Sequence, residues 1–238
     1  DRFGSWRLTT IALGSADSQG VPGLGSDQAL ETSLARIRGH LAFRGQNGRL
    51  ADDTLRLEVI GAASFEREHY QDPADELGLG AQDSREGGRL TLLGVRPTYF
   101  AHEMLTVRAV LDWANETASQ GQARAGRNTL SAGGEAELDP VEGHLVLQAG
   151  ARADSHFNRL SGLDAVEAGS TVAWSPRAGL LVEPFTDRDW SIRGTASLSS
   201  VERPPSFFEL YGDRGSTVGN PDLRSEKSLN YDLGVQFS

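Results

Sequence analysis

Apolar and polar residues alternate with a period of two along most of the chain, the mark of strands with two unlike faces. Leu145, Leu147, Ala149, Ala151 and Ala153 share one side of an extended segment, with Val146, Gln148, Gly150, Arg152 and Asp154 on the other. Leu105, Val107, Ala109, Leu111 and Trp113 alternate in the same way with Thr106, Arg108 and Asp112. Ten segments follow the pattern: residues 5–13, 32–44, 54–66, 89–97, 104–115, 129–138, 144–155, 171–183, 190–201 and 227–238. Most are longer than the roughly 5–6 residues of an average globular strand, and their length suits a tilted strand that crosses a bilayer. Ser33 to Arg44 and Leu55 to Glu66 carry many helix formers. The alternation of Leu55, Leu57 and Val59 with Arg56 and Glu58 nevertheless favours a strand.

The connections between these segments alternate long and short. The long ones are 14–31, 67–88, 116–128, 156–170 and 202–226, and the short ones contain turn pairs such as Asn47-Gly48 and Asp139-Pro140. A soluble sandwich has no reason for such a rhythm, whereas a membrane barrel has short turns at one rim and long loops at the other. The fold expected is an all-β antiparallel meander of about ten strands, forming part of a transmembrane barrel.

Composition narrows the chemistry. The chain has 238 residues, no cysteine and a net charge of −10. Thiolate zinc sites, disulfides and a cysteine nucleophile are excluded, and a nucleic-acid partner is disfavoured by the negative balance. No apolar run reaches the ~18 residues of a membrane helix. Asp1-Arg2-Phe3-Gly4 opens directly into strand-like sequence without a signal peptide, as expected if one was removed or the chain is a fragment. Most of the net charge falls in the five long connections, which suits solubility, cation bridges to lipopolysaccharide, or attraction of a cationic or metal-chelate solute. His40, His69, His102, His144 and His156 show no ligand spacing, and no P-loop, nucleophile elbow or dinucleotide fingerprint occurs. Asp72, Asp75, Glu76, Asp83 and Glu86 form the densest acidic patch, without calcium-loop spacing. No enzyme, catalytic residue, cofactor or metal ligand is therefore expected. Arg36, Arg38, His40, Arg44, Arg108 and Arg152 fall on polar strand faces, where Glu58, Asp112 and Asp154 are candidate partners.

The last quarter of the chain carries an ordered set of motifs. Ser175-Pro176-Arg177-Ala178-Gly179-Leu180 is followed by Trp190-Ser191-Ile192-Arg193-Gly194 and by Arg203-Pro204-Pro205-Ser206-Phe207-Phe208-Glu209-Leu210-Tyr211-Gly212. Gly219-Asn220-Pro221-Asp222-Leu223, Glu226 and Asn230-Tyr231-Asp232-Leu233-Gly234 complete it. This order resembles the barrel of TonB-dependent receptors, in which PR-x-GL, R-x-P-S-x-x-ELYG, GNP-x-L-x-x-E and NYELG segments follow one another. Asp232 stands where glutamate is usual. The prolines should end a ladder at Arg203, and Arg203 and Glu209 should pair. Phe207, Phe208 and Tyr211 are expected in an aromatic girdle on an outward-facing loop.

The resemblance implies a barrel of about 22 strands around an N-terminal plug. It also implies an outer-membrane location, coupling to TonB through the plug, and import of a scarce nutrient such as a ferric siderophore or another metal chelate. Residues 1–238 then form a partial barrel domain, without plug and without the remaining strands. Its partners are membrane lipid and lipopolysaccharide, the TonB complex and an unspecified small molecule. From the residues alone, a passive channel, an outer-membrane enzyme and a soluble β-rich binding module stay open.

Overall fold

A computed structural model describes residues 6–21, 30–48, 50–51, 53–76, 80–120, 123–161, 167–186, 190–211, 213–214, 217–218, 220 and 222–237. Nine consecutive strands run as a meander: β1 (Trp6–Gly20), β2 (Ser33–Asn47), β3 (Leu55–Asp72), β4 (Gln82–His102), β5 (Leu105–Gln120), β6 (Ala123–Leu138), β7 (Leu145–Ser161), β8 (Glu167–Thr186) and β9 (Ser191–Arg203). A helical turn, α1 (Phe207–Tyr211), and a pair of two-residue strands, β10 (Asp213–Arg214) and β11 (Thr217–Val218), come next. The tenth long strand, β12 (Glu226–Phe237), pairs with β9 and completes one antiparallel sheet with β1 and β12 at its edges.

Each of the ten alternating segments is a strand of this sheet. The two faces differ as the alternation requires. On β6, every even position from Asn128 to Leu138 is exposed, while every odd position from Arg127 to Glu137 is half-buried or buried. The exposed set is the apolar one. Leu93, Leu111, Trp113, Leu130, Leu147 and Trp174 all point outward from the sheet. A soluble protein would bury these side chains, each worth about 1.5–3 kcal/mol on transfer from water. Here lipid is the solvent that suits them. The polar face is the concave, inner one. On the outer face, Phe43 lies over Gly61 and Phe65 over Gly39, each opposite its glycine in the β2–β3 register. The rings fill the space that the glycines leave.

Strand ends at the short turns fall within a few residues of expectation. At the other rim the strands run much further. β3 continues to Asp72, β4 begins at Gln82, and β5 and β6 stay paired through Gln120 and Ala123. The long connections of 67–88, 116–128 and 156–170 are therefore largely sheet, and the regular long–short rhythm is not present in the structure. Beyond the apolar band both faces of the sheet are polar. Apolar residues then give no alternation, although the backbone ladder continues. The connections left between long strands at this rim are 21–32, 73–81, 121–122, 162–166 and 204–225, the last carrying α1, β10 and β11.

Candidate functional site

The inner face is a lattice of ion pairs. Arg44 of β2 donates from Nε to Glu58 of β3 at 2.9 Å, and Glu58 lies 3.9 Å from Arg96 of β4. Arg96 approaches Asp112 of β5 at 3.9 Å, and Arg152 of β7 reaches the same carboxylate at 3.0 Å. Arg152 also holds Asp154 at 2.8 Å. One rung away, Arg108 spans Glu135 at 3.0 Å and Glu137 at 2.9 Å, and Arg177 of β8 closes on Glu135 from the other side. Of the candidate pairs, Arg44–Glu58, Arg152–Asp112 and Arg152–Asp154 form. Arg108 instead takes two glutamates of β6: Glu135, its partner in register, and Glu137, the partner of Thr106.

Two of these contacts skip a strand. Arg152 crosses β6 at Gly133, its partner in register, to reach β5. Arg177 crosses β7 at Gly150 to reach β6. A side chain at either glycine would occupy the path: a Cβ at Gly133 would lie 2.9 Å from Ala151 O, and one at Gly150 would lie 2.7 Å from Gly134 O. Nearer the loop rim, Arg36 holds Glu68 through both Nε at 2.9 Å and Nη2 at 2.6 Å, while Arg38 takes Glu66 at 3.0 Å.

The motif segment after β9 folds onto this inner face. β9 ends at Arg203, before the two prolines. Ser206 and Glu209 then form a reciprocal cap: Ser206 N–H donates to Glu209 at 2.7 Å, and Glu209 N–H donates to Ser206 Oγ at 3.3 Å. The Phe207 ring sits 5.0 Å from the Arg127 guanidinium, which donates to Pro205 O and to Asn158, each at 2.7 Å. Phe207, Leu210, Leu160 and Ala173 are the buried apolar residues among those described. The molecule's small hydrophobic core thus lies inside the wall, beneath α1. Phe207 belongs to that core and not to an outward girdle, because the proline pair and the cap turn it toward β6–β8. The side chains of Phe208 and Tyr211 lie outside the described residues. The S-x-x-E spacing at Ser206 is the sequence signal for this turn.

Arg203 clamps the segment, reaching Glu209 at 2.9 Å and Glu226 at 3.0 Å. The Arg203 guanidinium and the Ser206 N–H pull the Glu209 carboxyl down to about 2. Asn220 accepts from Asp222 N–H at 2.9 Å and so forms the expected turn, although Gly219 and Pro221 lie outside the described residues.

A second carboxylate ties two loops. Glu76 accepts from the Leu30, Glu31 and Thr32 amides at 2.7, 2.9 and 2.9 Å, and from Thr32 Oγ1 at 2.7 Å. These donors hold its carboxyl at about 2, with the Leu30 amide the largest contributor. Asp72 is fully buried and accepts from Glu76 N–H at 2.8 Å, and Asp75 accepts from Gly80 N–H at 2.6 Å. Asp72, Asp75 and Glu76 of the acidic patch are therefore backbone anchors, while Asp83 pairs with the His69 side chain. Among the described residues, no group of three or more His, Asp or Glu is placed to hold a metal ion. A carboxyl lowered from 4.5 stabilises the fold above that pH, and the contribution is lost as pH falls through the folded value. Protection of the Leu30–Thr32 amides from hydrogen exchange should fall between about pH 4.5 and 2, after correction for intrinsic rates. In Glu76→Gln that titration should vanish. An unchanged titration in the variant would assign it elsewhere.

The histidines are dispersed. His69 meets Asp83 at 2.7 Å, His102 accepts from Met104 N–H at 3.3 Å, and His144 sits 3.0 Å from Glu183 O. His156 is buried beside Thr129 at 3.0 Å, and His40 is exposed.

An antiparallel meander with an apolar outer face and an ion-paired inner face is the wall of an outer-membrane-type β-barrel. The family model for TonB-dependent receptor-like β-barrels matches residues 7–238, and the chain belongs to that family. No curated protein matches the sequence. Among solved structures, the copper transporter OprC superposes with a TM-score of 0.66 at 16% identity, covering 100% of this chain and 48% of that one. BauA, the ferric preacinetobactin receptor of Acinetobacter baumannii, gives 0.59 at 12% identity over 97% and 42%. FyuA, the ferric yersiniabactin uptake receptor of Yersinia pestis, gives 0.56 at 14% over 98% and 40%. The chain spans less than half the length of these structures. At such identities the likeness concerns the fold.

Proposed function

We propose that this chain forms part of the wall of a TonB-dependent outer-membrane receptor that imports a metal ion or metal chelate. Family membership over nearly the whole chain carries the reading. The three fold relatives, a copper transporter and two ferric-siderophore receptors, support the substrate class. In this reading the full barrel has about 22 strands and encloses a plug, and the ion-paired inner face is the surface against which the plug and the solute move. No side chain of this chain is assigned to the solute.

The test uses the full-length receptor, produced in a strain that lacks its own copy. Uptake of labelled copper and of a panel of ferric siderophores should appear with the receptor and disappear when TonB is deleted. Uptake that persists without TonB would identify a passive channel instead. Receptor-dependent uptake of none of the panel would remove the metal reading.

A further inference from the structure

The arginines divide into two populations. Arg36, Arg38, Arg44, Arg96, Arg108 and Arg152 each reach a carboxylate on the inner face. Arg67, Arg89, Arg124 and Arg159 are exposed on the outer face, and among the described residues none of them has an ion pair or hydrogen bond. These four are not scattered. Arg67, Gly87, Ser119 and Arg124 lie opposite one another in register across β3 to β6, in one rung of the ladder. Phe65, Arg89, Thr117, Gly126 and Arg159 form the adjacent rung from β3 to β7. Strand spacing of about 4.8 Å and a two-residue rise of about 7 Å put the four Cα atoms at the corners of a skewed patch, roughly 14 Å along each rung.

Arg67, Arg89, Arg124 and Arg159 line one depression, and Gly87 and Gly126 leave its floor without side chains. Thr117 adds a hydroxyl donor, while the Ser119 hydroxyl donates to Gly87 O at 3.4 Å. Asp83 is the lone outward carboxylate on β3–β7 among the described residues, and it is already engaged by His69. The patch begins where the apolar band stops: Phe65 is opposite Arg89, and Phe157 is two residues from Arg159 on the same face. Four unpaired guanidinium groups facing the lipid border form a site for phosphate, which arginine binds with paired N–H donors.

We infer that Arg67, Arg89, Arg124 and Arg159 bind the phosphates of a phosphorylated glycolipid of the outer leaflet. The inference rests on the outer-membrane reading. It fixes which rim faces the cell exterior, namely the one that carries α1.

Full-length receptor, delipidated in detergent, is titrated with diphosphoryl lipid A, with the same glycolipid stripped of phosphate, and with inorganic phosphate, followed by native mass spectrometry. Wild-type receptor should bind diphosphoryl lipid A at least tenfold more tightly than the stripped glycolipid, with inorganic phosphate failing to compete at equal concentration. The quadruple variant R67Q/R89Q/R124Q/R159Q should lose about tenfold, and the corresponding lysine variant should keep most of the affinity. Retention of the heat-modifiable folded band controls for folding. R67Q/R124Q and R89Q/R159Q provide milder pairs, each expected to lose about threefold. Equal binding by folded quadruple variant and wild type, or equal binding of stripped and phosphorylated glycolipid, overturns the site. If inorganic phosphate competes equally, the site is one for free anions. Fractionation of the cells separates the two readings. A receptor found in the outer membrane with unchanged lipid binding in the variant loses only this site. A receptor absent from that membrane loses both.

Discussion

Gly150→Val should be among the most damaging single substitutions in the wall. Its new Cβ would lie 2.7 Å from Gly134 O and 3.1 Å from Glu135 Cα, and both are backbone atoms of the paired strand. Overpacking of this kind costs about 1–3 kcal/mol. The valine would also obstruct the route by which Arg177 reaches Glu135, although Arg108 would still hold that carboxylate at 3.0 Å. A total loss of roughly 2–4 kcal/mol is expected. Urea unfolding of the full-length receptor in detergent, read by the heat-modifiable gel shift, measures it. Gly169→Val is the control, since a Cβ there meets nothing within 4 Å. If the two variants unfold at the same urea concentration, the notch at Gly150 has no structural weight.

The second large effect is expected at Arg152. It links Asp112 and Asp154, and the Asp112 side chain is only 8% exposed. Removal of Arg152 leaves that carboxylate with Arg96 at 3.9 Å as its remaining cation contact among the described residues. Breaking a buried pair on one side costs about 3–5 kcal/mol. Arg152 is itself 41% exposed, which brings the expectation for Arg152→Ala to roughly 2–3 kcal/mol. Neutralising the orphaned partner should recover part of the loss. The double variant R152A/D112N is expected to be more stable than R152A by about 1 kcal/mol. Strict additivity of the two substitutions in denaturant unfolding would mean that Arg152 and Asp112 are not coupled.

The sheet was legible because membrane strands must keep one face apolar. Wherever lipid lies outside, the alternation in β5, β7 and β9 marks the strand and its two faces. The inner-face pairing was legible in part: Glu58, Asp112 and Asp154 sit within a rung or two of their arginines. Arg177–Glu135 was not, because it spans two strand intervals and depends on a glycine between them, which no local spacing reveals. The strand extensions were hidden for a different reason. In Arg67–Asp72 and Gln82–Gly88 both faces are polar, so the residues resemble loop while the backbone remains in register. The placement of α1 was missed. The S-x-x-E pattern shows a turn, but the inward direction comes from Arg127, nearly 80 residues away in the chain.

In the proposed receptor, those extensions change how a solute approaches the pore. From Glu66 to Asp72 the wall rises about 20 Å beyond the apolar band, as measured along the strand. In that receptor the entrance would be a walled vestibule, whose inner surface carries Arg36, Glu66, Glu68, Glu86 and Glu116. A solute in the vestibule diffuses along one axis, close to ordered charges. Its residence time there depends on its own charge and hydrated radius before any binding site is reached.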